Sequence, residues 1–211
     1  MAQARSERAL FITLEGGEGS GKSTQARALA AALEKRGYAV CLTREPGGTE
    51  LGRAIQSMLE ADQAPTPPAE LLLFVADRVQ HVHEVIAPAL AAGKIVVCDR
   101  FADSTLAYQG FGRGLDASLI RRLNDEATGE LKPGLTVLLD LPPEAGLGRE
   151  GTQLDVTGRE SLEFHGRVRE GFLALAKEEA ERFVVIDATL ALEEVTKRAM
   201  VAIEKVLPKR A

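Results

Sequence analysis

The chain of 211 residues is poor in several residue types, and each shortage excludes a class of protein. It has no tryptophan, three histidines and two cysteines, and aromatic residues make up only 4% of it. Cys41 and Cys98 each lie in an apolar, strand-like run, which indicates core thiols in a reducing compartment and not a disulfide scaffold. His81 and His83 lie two apart on a predicted helix and His165 is isolated, so we expect no metal-binding histidine.

Long apolar runs and a strong net charge are also missing. No uninterrupted apolar run approaches the roughly 20 residues that a membrane helix needs, and residues 1–8 carry no apolar signal-peptide core. We therefore expect a cytoplasmic protein with no membrane partner. A net charge of −5 argues against a general nucleic-acid binder. The composition is that of an ordinary globular protein, and the length favours a single domain over residues 1–211.

The strongest positive signal is a glycine-rich motif, which reads G-G-E-G-S-G-K-S at Gly16–Ser23. It fits the pattern G-x-x-x-x-G-K-[ST], and it lies between a strand-like run at 9–14 and an amphipathic helical pattern at 23–36. In that setting successive backbone N–H groups cradle phosphates, and the helix N-terminus adds partial positive charge. Lys22 is expected to reach the β- and γ-phosphates and the Ser23 hydroxyl to bind Mg²⁺, so the chain should bind a nucleoside triphosphate.

Strand and helix patterns alternate along the rest of the chain. Further strand-like runs lie at 38–43, 94–98, 135–141 and 183–186. Helical patterns fill the intervals, at about 49–61, 70–92, 116–128, 161–181 and 192–207, with Thr49 and Asp116 as predicted N-caps. The polar, aromatic and glycine-rich stretch at 101–114 is expected to contribute loops. The alternation predicts an α/β fold, with a five-stranded parallel sheet and helices on both of its faces.

Charged residues at the expected strand ends indicate a phosphate site. Asp99 and Asp140 each end an apolar strand, where a carboxylate commonly holds Mg²⁺, directly or through water. Asp99 is favoured because Arg100 beside it can bind a phosphate, although a strand-end aspartate can also simply cap the next segment. Four arginines on loops or on the long helix indicate a second anionic substrate, and hence phosphoryl transfer between two phosphorylated molecules: Arg44, Arg78, Arg100 and Arg113.

Phe74 and Arg78 lie four residues apart on the predicted helix and therefore project from one face. A ring that stacks on a base, together with a guanidinium that hydrogen-bonds it, would suit nucleobase recognition. Phe74 would equally suit the hydrophobic core, and the pattern alone leaves both interpretations open.

The chain resembles the bacterial thymidylate kinases, a family of P-loop nucleoside-monophosphate kinases, over almost its whole length. The resemblance lies in Gly16–Ser23 and in four further motifs: T-R-E-P-G-G-T at Thr43–Thr49, L-L-L-F-V-A-D-R at Leu71–Arg78, D-R-F-A-D-S-T-L-A-Y-Q-G at Asp99–Gly110 and G-R-G-L at Gly112–Leu115. It implies a P-loop kinase fold, a homodimer, and transfer of the γ-phosphate of ATP, with Mg²⁺, to dTMP. The products would be dTDP and ADP, in the synthesis of dTTP.

The resemblance also implies a role for each matching residue. ATP would be bound by the glycine-rich motif and the residue after it: Gly16, Gly17, Glu18, Gly19, Ser20, Gly21, Lys22, Ser23 and Thr24. dTMP would be bound at its 3′-hydroxyl by Glu18, at its phosphate by Arg44 and Arg100, at its base by Phe74 and Arg78, and around base and sugar by Ser104, Tyr108 and Gln109. Tyr108 would exclude a ribose 2′-hydroxyl. Ser23 and Asp99 would hold Mg²⁺, and the catalytic set would include Lys22, Asp99 and Arg100.

A lid segment at about 149–160 departs from the family pattern. Similar enzymes carry an Asp-Arg-x-Glu run there, whereas this chain has Asp155 followed by Val156. Because the P-loop has no arginine, we expect the lid to supply charge to the transition state through Arg149 and Arg159.

Two alternatives remain open. Another small-molecule kinase on the same fold would keep the P-loop and change the base-reading residues, and a nucleotide-binding switch would lack turnover. The helices at 72–86 and 116–128 could supply a dimer interface, but their patterns equally suit a core.

Overall fold

The computed structural model describes residues 9–61, 63–149 and 160–208. Five strands form one fully parallel sheet in the order β2-β3-β1-β4-β5. Their bounds are β1 (Leu10–Glu15), β2 (Val40–Arg44), β3 (Ile95–Asp99), β4 (Leu135–Asp140) and β5 (Phe183–Asp187). The predicted α/β fold with a five-stranded parallel sheet is therefore confirmed.

The segments between and after the strands are mostly helical. Within the described ranges the α-helices are α1 (Lys22–Lys35), α2 (Glu50–Leu59), α3 (Pro67–His81), α4 (Ala87–Ala91), α5 (Ala102–Thr105), α6 (Ala117–Thr128), α7 (Pro143–Arg149), α8 (Leu162–Glu178) and α9 (Leu192–Val206). Side-chain oxygens cap three of them, namely Thr49 at α2, Asp116 at α6 and Ser161 at α8. None of these helices combines the length and the apolar character needed to cross a membrane.

The predicted helix at 70–92 is a continuous helical rod with a change of geometry inside it. It begins at Pro67, and a π-helical segment, Val82–Ile86, joins α3 to α4. The π-helical turn lies directly before Pro88, which has no N–H to donate to the preceding turn. The change of helical geometry thus lies next to Pro88 in this rod.

The stretch 101–114 was expected to contribute loops, and that expectation is wrong. It forms α5 and a π-helical segment, Leu106–Gly112, with Arg113 as its C-terminal cap. Glycine and aromatic residues give a weak helical pattern, and packing overrides it here. A Cβ atom on Gly112 would lie 2.6 Å from the ring of Phe164, so glycine allows this segment to approach α8 closely.

The sheet has a core on each face, because alternate strand residues point to opposite sides. On one face the central strands pack against α1 and α9, with Ile12, Leu29 and Ile203 fully buried. On the other face Phe11 and Val96 pack against the long helical rod. The strand side chains of Ile12 and Val96 are 0% exposed, and their burial fixes the strand register, since a one-residue slip would turn them to the opposite face.

The register places three strand ends side by side. Asp99 at the end of β3 is paired with Leu14 of β1 on one side and with Arg44 of β2 on the other. The loops that follow β1, β2 and β3 therefore leave the sheet at the same edge. Open α/β sheets bind their ligands at this carboxyl edge.

Candidate active site

Two adjoining cavities lie at this carboxyl edge. We call the first, of about 330 Å³, the acceptor cavity, and the second, of about 360 Å³, the P-loop cavity. They share the side chains of Glu18, Arg44, Glu45, Pro46 and Arg100. Two compartments with a common wall of charged residues can hold two ligands next to one another.

The P-loop cavity is built by the turn between β1 and α1. Gly19 and Gly21 have φ values of 65° and 86°, in the left-handed region that favours glycine. A Cβ atom on Gly19 would also lie 2.2 Å from the carbonyl oxygen of Gly146 in α7, so the turn has no room for a side chain there. Its shape depends on glycine at these positions, as the motif predicted.

Lys22 lies folded back onto the same turn. Its Nζ donates to the Gly17 carbonyl at 2.6 Å and to Ser20 Oγ at 3.3 Å, and the residue is only 6% exposed. Burial, and then the charge of Arg100, lower the pKa of Lys22 to about 8. An ammonium held by neutral oxygens in a buried site would be stabilised further by a polyphosphate.

Ser23 and Asp99 form the polar floor of this cavity. The Ser23 hydroxyl donates to Asp99 Oδ2, and both residues line the cavity. Asp99 Oδ1 is buried and accepts no hydrogen bond from the described residues. A hydroxyl beside a carboxylate with one unused oxygen is a donor set suited to Mg²⁺, which binds oxygen ligands and keeps several waters. No group of three or more His, Cys, Asp or Glu side chains gathers as a metal site within the described ranges.

Asp140, the alternative to Asp99, is engaged elsewhere. Arg169 of α8 donates to its two oxygens at 2.7 and 2.9 Å, a bidentate ion pair. Asp140 lines neither cavity, whereas Asp99 lines the P-loop cavity.

Glu18, Arg100 and Tyr108 meet at the wall between the cavities. Glu18 Oε1 accepts from Arg100 Nη2 at 2.8 Å and from the Tyr108 hydroxyl at 2.6 Å. The guanidinium carbon of Arg100 also lies 5.0 Å from the centre of the Tyr108 ring. Burial alone would raise the pKa of Glu18, but the charges of Arg100 and Lys22 outweigh burial and lower the pKa to about 2. Glu18 is therefore ionised at any physiological pH.

Phe74 and Arg78 both line the acceptor cavity and so project from one face of α3, as their four-residue spacing predicted. Phe74 is only partly buried and belongs to none of the buried hydrophobic clusters, which argues against the core interpretation. Arg78 is 1% exposed and forms an ion pair with Glu45 at 2.8 Å. A ring at the cavity wall and a buried guanidinium at its base are suited to a flat, polar ring ligand.

Two further side chains assigned to this cavity by the resemblance are already hydrogen-bonded to protein. Ser104 donates to Glu15 Oε2 at 2.6 Å, and the Gln109 amide donates to Glu70. Both residues still line the acceptor cavity. The hydroxyl of Ser104 is directed to a buried carboxylate, which the sequence interpretation had not linked to it.

The remaining arginines lie around the two cavities. Arg44 is exposed and lines both, and Arg149 lines the P-loop cavity, with Nη1 3.5 Å from the Gly19 carbonyl. Arg113 forms ion pairs with Glu70, at 3.0 Å, and with Glu160. Arg113 therefore lines the acceptor cavity, but its charge is already paired with two carboxylates. Arg159 and the Asp155-Val156 pair lie outside the described residues.

Sequence reasoning missed three buried polar residues. Glu15 at the end of β1 accepts from the Phe101 N–H at 2.8 Å, and burial and the charge of Asp103 raise its pKa to about 8. Glu45 and His81 are buried beside Arg78. The available signals were a glutamate closing an apolar strand and a histidine three residues after Arg78 on one helix face.

The lowered pKa of Lys22 predicts a pH-dependent affinity for ATP. Lys22 is charged below pH about 8 and becomes neutral above it, so affinity should fall by at most about tenfold for each pH unit beyond 8. Titration calorimetry from about pH 7 to about pH 9.5 measures this. Lys22→Met should bind more weakly and show no such fall. A fall that persists in Lys22→Met would assign the titration to Glu15.

Comparison with known proteins places the chain in a family. The profile of the family described as thymidylate kinase matches residues 14–199. The thymidylate kinase of Synechococcus sp. (strain JA-2-3B'a(2-13)) is 56% identical over 199 residues, which cover 94% of this chain and 96% of that protein. That of Desulfovibrio desulfuricans is 51% identical over 95% of this chain and 98% of its own.

A solved structure supports the same assignment. The crystal structure of thymidylate kinase from Ehrlichia chaffeensis aligns with a TM-score of 0.78 at 38% identity, covering 92% of this chain and 98% of that chain. The profile, the relatives and the structure each extend over most of the chain. The chain therefore belongs to the thymidylate kinase family.

Proposed function

We propose that this protein transfers the γ-phosphate of ATP to dTMP and releases ADP and dTDP. The observation that carries the proposal is the pair of adjoining cavities, one formed by the P-loop and one by Phe74 and Arg78, in a member of this family. Phosphoryl transfer requires the two phosphates to be held in line and their charge to be neutralised. The shared wall of Glu18, Arg44 and Arg100 lies where those phosphates would meet.

ATP occupies the P-loop cavity in this proposal. The backbone N–H groups of 16–24 surround its phosphates, and Lys22 moves from the Gly17 carbonyl to the β- and γ-phosphates. Ser23 and Asp99 would hold Mg²⁺, whose oxygen ligands they supply. When bound, the ion would neutralise charge on the transferring phosphoryl group. Asp99 Oδ1, which has no hydrogen-bond partner in the described ranges, is the atom that such a role would use.

dTMP occupies the acceptor cavity. Phe74 stacks on thymine and Arg78 donates to its O4, while Arg44 and Arg100 bind the phosphate. Glu18 accepts from the deoxyribose 3′-hydroxyl, and the Tyr108 ring leaves no room for a 2′-hydroxyl. Ser104 and Gln109 line the rest of the cavity, with their side chains held by Glu15 and Glu70. Glu18 would thus contact the acceptor sugar from the same loop that binds ATP.

The proposal predicts which acceptors are used. With ATP and Mg²⁺, ADP release should be fast with dTMP and weak with dUMP. Both acceptors should be used, because both present O4 to Arg78. ADP release should be absent with dGMP, which has no pyrimidine O4 for Arg78, and with shikimate, which has no base to stack. Coupled-enzyme measurement of ADP release tests all four.

Two other results would replace the proposal. Turnover with another acceptor in preference to dTMP would make the protein a different small-molecule kinase on this fold. Tight ATP binding without acceptor-dependent turnover would make it a nucleotide-binding switch.

A second prediction concerns the lid segment at about 149–160. Arg149 lies beside the P-loop and, with Arg159, is proposed to stabilise the charge on the transferring group. Arg149→Ala and Arg159→Ala should together lower kcat by about 100-fold with little change in the KM for dTMP. Arg198→Ala, at an exposed ion pair with Glu194 on α9 and lining neither cavity, is the matched control. A double variant with wild-type kcat would show that the lid arginines do not act on the reaction.

The remaining proposals concern organisation. Residues 1–211 form one kinase domain with this lid, and the protein acts in the cytoplasm on small molecules, without a nucleic-acid or membrane partner. A homodimer is supported by Leu72 and Val79, which are 57% and 48% exposed and seven residues apart on α3. Sedimentation of a monomer alone at micromolar concentration would contradict the dimer.

A further inference from the structure

A buried polar network lies under the acceptor cavity, and Glu45 is at its centre. The Glu45 side chain, which directly follows β2, is 2% exposed. Its Oε2 accepts from Arg78 Nε at 2.9 Å and lies 2.8 Å from Arg78 Nη2. Its Oε1 lies 2.9 Å from His81 Nδ1. A carboxylate can only accept, so Nδ1 carries the proton and donates it to this contact.

Most N–H donors of the Arg78 guanidinium already have acceptors in this network. An arginine has five N–H donors and no acceptor. Nε donates to Glu45 Oε2, which also lies 2.8 Å from Nη2 as an ion pair, and the two donors on Nη1 reach Thr105 Oγ1 at 3.0 Å and Asn124 Oδ1 at 2.7 Å. The amide nitrogen of Asn124 is itself bound to the Ala102 carbonyl at 3.3 Å, which turns its oxygen toward Arg78. Beyond its ion-pair contact with Glu45, Nη2 donates no hydrogen bond to the described residues, and Arg78 lines the acceptor cavity.

His81 holds Glu45 from the other side. It is fully buried, and its Nε2 lies 2.6 Å from Thr43 Oγ1 at the end of β2. A Cβ atom on Gly48 would lie 2.5 Å from the same nitrogen, so the loop after β2 closes tightly over the ring. Arg78 and His81 are three residues apart on one face of α3, and both contact the same carboxylate. Neither oxygen of Glu45 is then free to turn away from Arg78.

We propose that Glu45 and His81 are positioning residues for the acceptor base, which fix Arg78 so that Nη2 is the nitrogen left to donate to that base. A fixed donor favours a base with a carbonyl oxygen at the pyrimidine 4-position over one with an amino group there. This inference rests on the proposed function, because it needs dTMP as the acceptor. It adds to that function two residues that act on the base only through Arg78.

A double-mutant cycle on Glu45 and Arg78 tests the inference. Glu45→Gln should raise the KM for dTMP about tenfold, leave the KM for ATP within about twofold, and reduce the preference for dTMP over dCMP about tenfold. In an Arg78→Met background, Glu45→Gln should add less than about twofold, because its effect passes through Arg78. Glu34→Gln, an exposed glutamate on α1, is the matched control.

A pair of variants at His81 separates positioning from general stability. His81→Asn retains a side-chain N–H for Glu45 and should recover most of the affinity for dTMP that His81→Leu loses. Both variants retain the Glu45 and Arg78 side chains, so they decide the question even if Glu45→Gln does not fold. Thermal unfolding of every variant identifies those that are merely destabilised.

Three results would overturn the inference. They are an equal rise in KM for both substrates in Glu45→Gln, a full effect of Glu45→Gln in the Arg78→Met background, and wild-type KM values in His81→Leu. In each case the wild-type enzyme still turns over dTMP, and the proposed function stands. Absence of dTMP turnover in the wild type would instead remove the proposed function, and this inference with it.

Discussion

The ion pair between Arg100 and Glu18 joins the two halves of the site. It spans 2.8 Å across the wall between the cavities and connects the loop after β3 to the P-loop. Arg100 itself has φ of 68°, in the left-handed region that costs a residue with a side chain on the order of 1–3 kcal/mol. Such a conformation persists only where the surroundings determine it, and here they do so from several directions.

Hydrogen bonds around Arg100 supply that constraint. Its N–H donates to the Leu14 carbonyl at 3.0 Å, and its own carbonyl accepts from the Cys98 thiol at 3.0 Å. Glu15 accepts from the next N–H, at Phe101, and from Ser104. β1 and the P-loop therefore act together, because Glu15 of β1 fixes the backbone after β3 and Glu18 of the P-loop fixes the Arg100 side chain.

The buried charges of the site are balanced. An unpaired buried charge costs several kcal/mol, so a site that binds two anions needs cations with partners already in place. At the P-loop cavity the acidic groups include Glu18 and Asp99, and the basic groups include Arg100 and Lys22. The balance is incomplete for Lys22, whose pKa is lowered to about 8, and a bound polyphosphate would complete it. The acceptor cavity repeats this arrangement with Arg78 and Glu45.

Local patterns predicted much of this fold and part of its site. The glycines of the P-loop, the apolar strands and the caps at Thr49 and Asp116 all depend on neighbours within a few residues, which a sequence displays directly. The helical form of 101–114 depends on contact with α8, far along the chain, and propensity did not indicate it.

Contacts between distant residues were the main omission. Ser104 binds Glu15 across 89 positions, and His81 binds Glu45 across 36. No fixed spacing in the sequence predicts such pairs, because they become neighbours only when these helices pack onto the sheet. Phe74 and Arg78 could be paired from sequence because four residues on a helix define one face, whereas the carboxylate that holds Arg78 could not.

Arg100 offers the most direct test of the central claim, that the protein holds this side chain between two cavities to bind the acceptor phosphate. Calorimetry should compare dTMP with thymidine, which lacks that phosphate, in the wild type and in Arg100→Met. The wild type should bind dTMP about 100-fold more tightly than thymidine, and Arg100→Met should lose most of that difference while its affinity for thymidine changes little. Arg36→Met, at an exposed ion pair with Glu204, is the control. An Arg100→Met variant that keeps the full preference for dTMP would contradict the account.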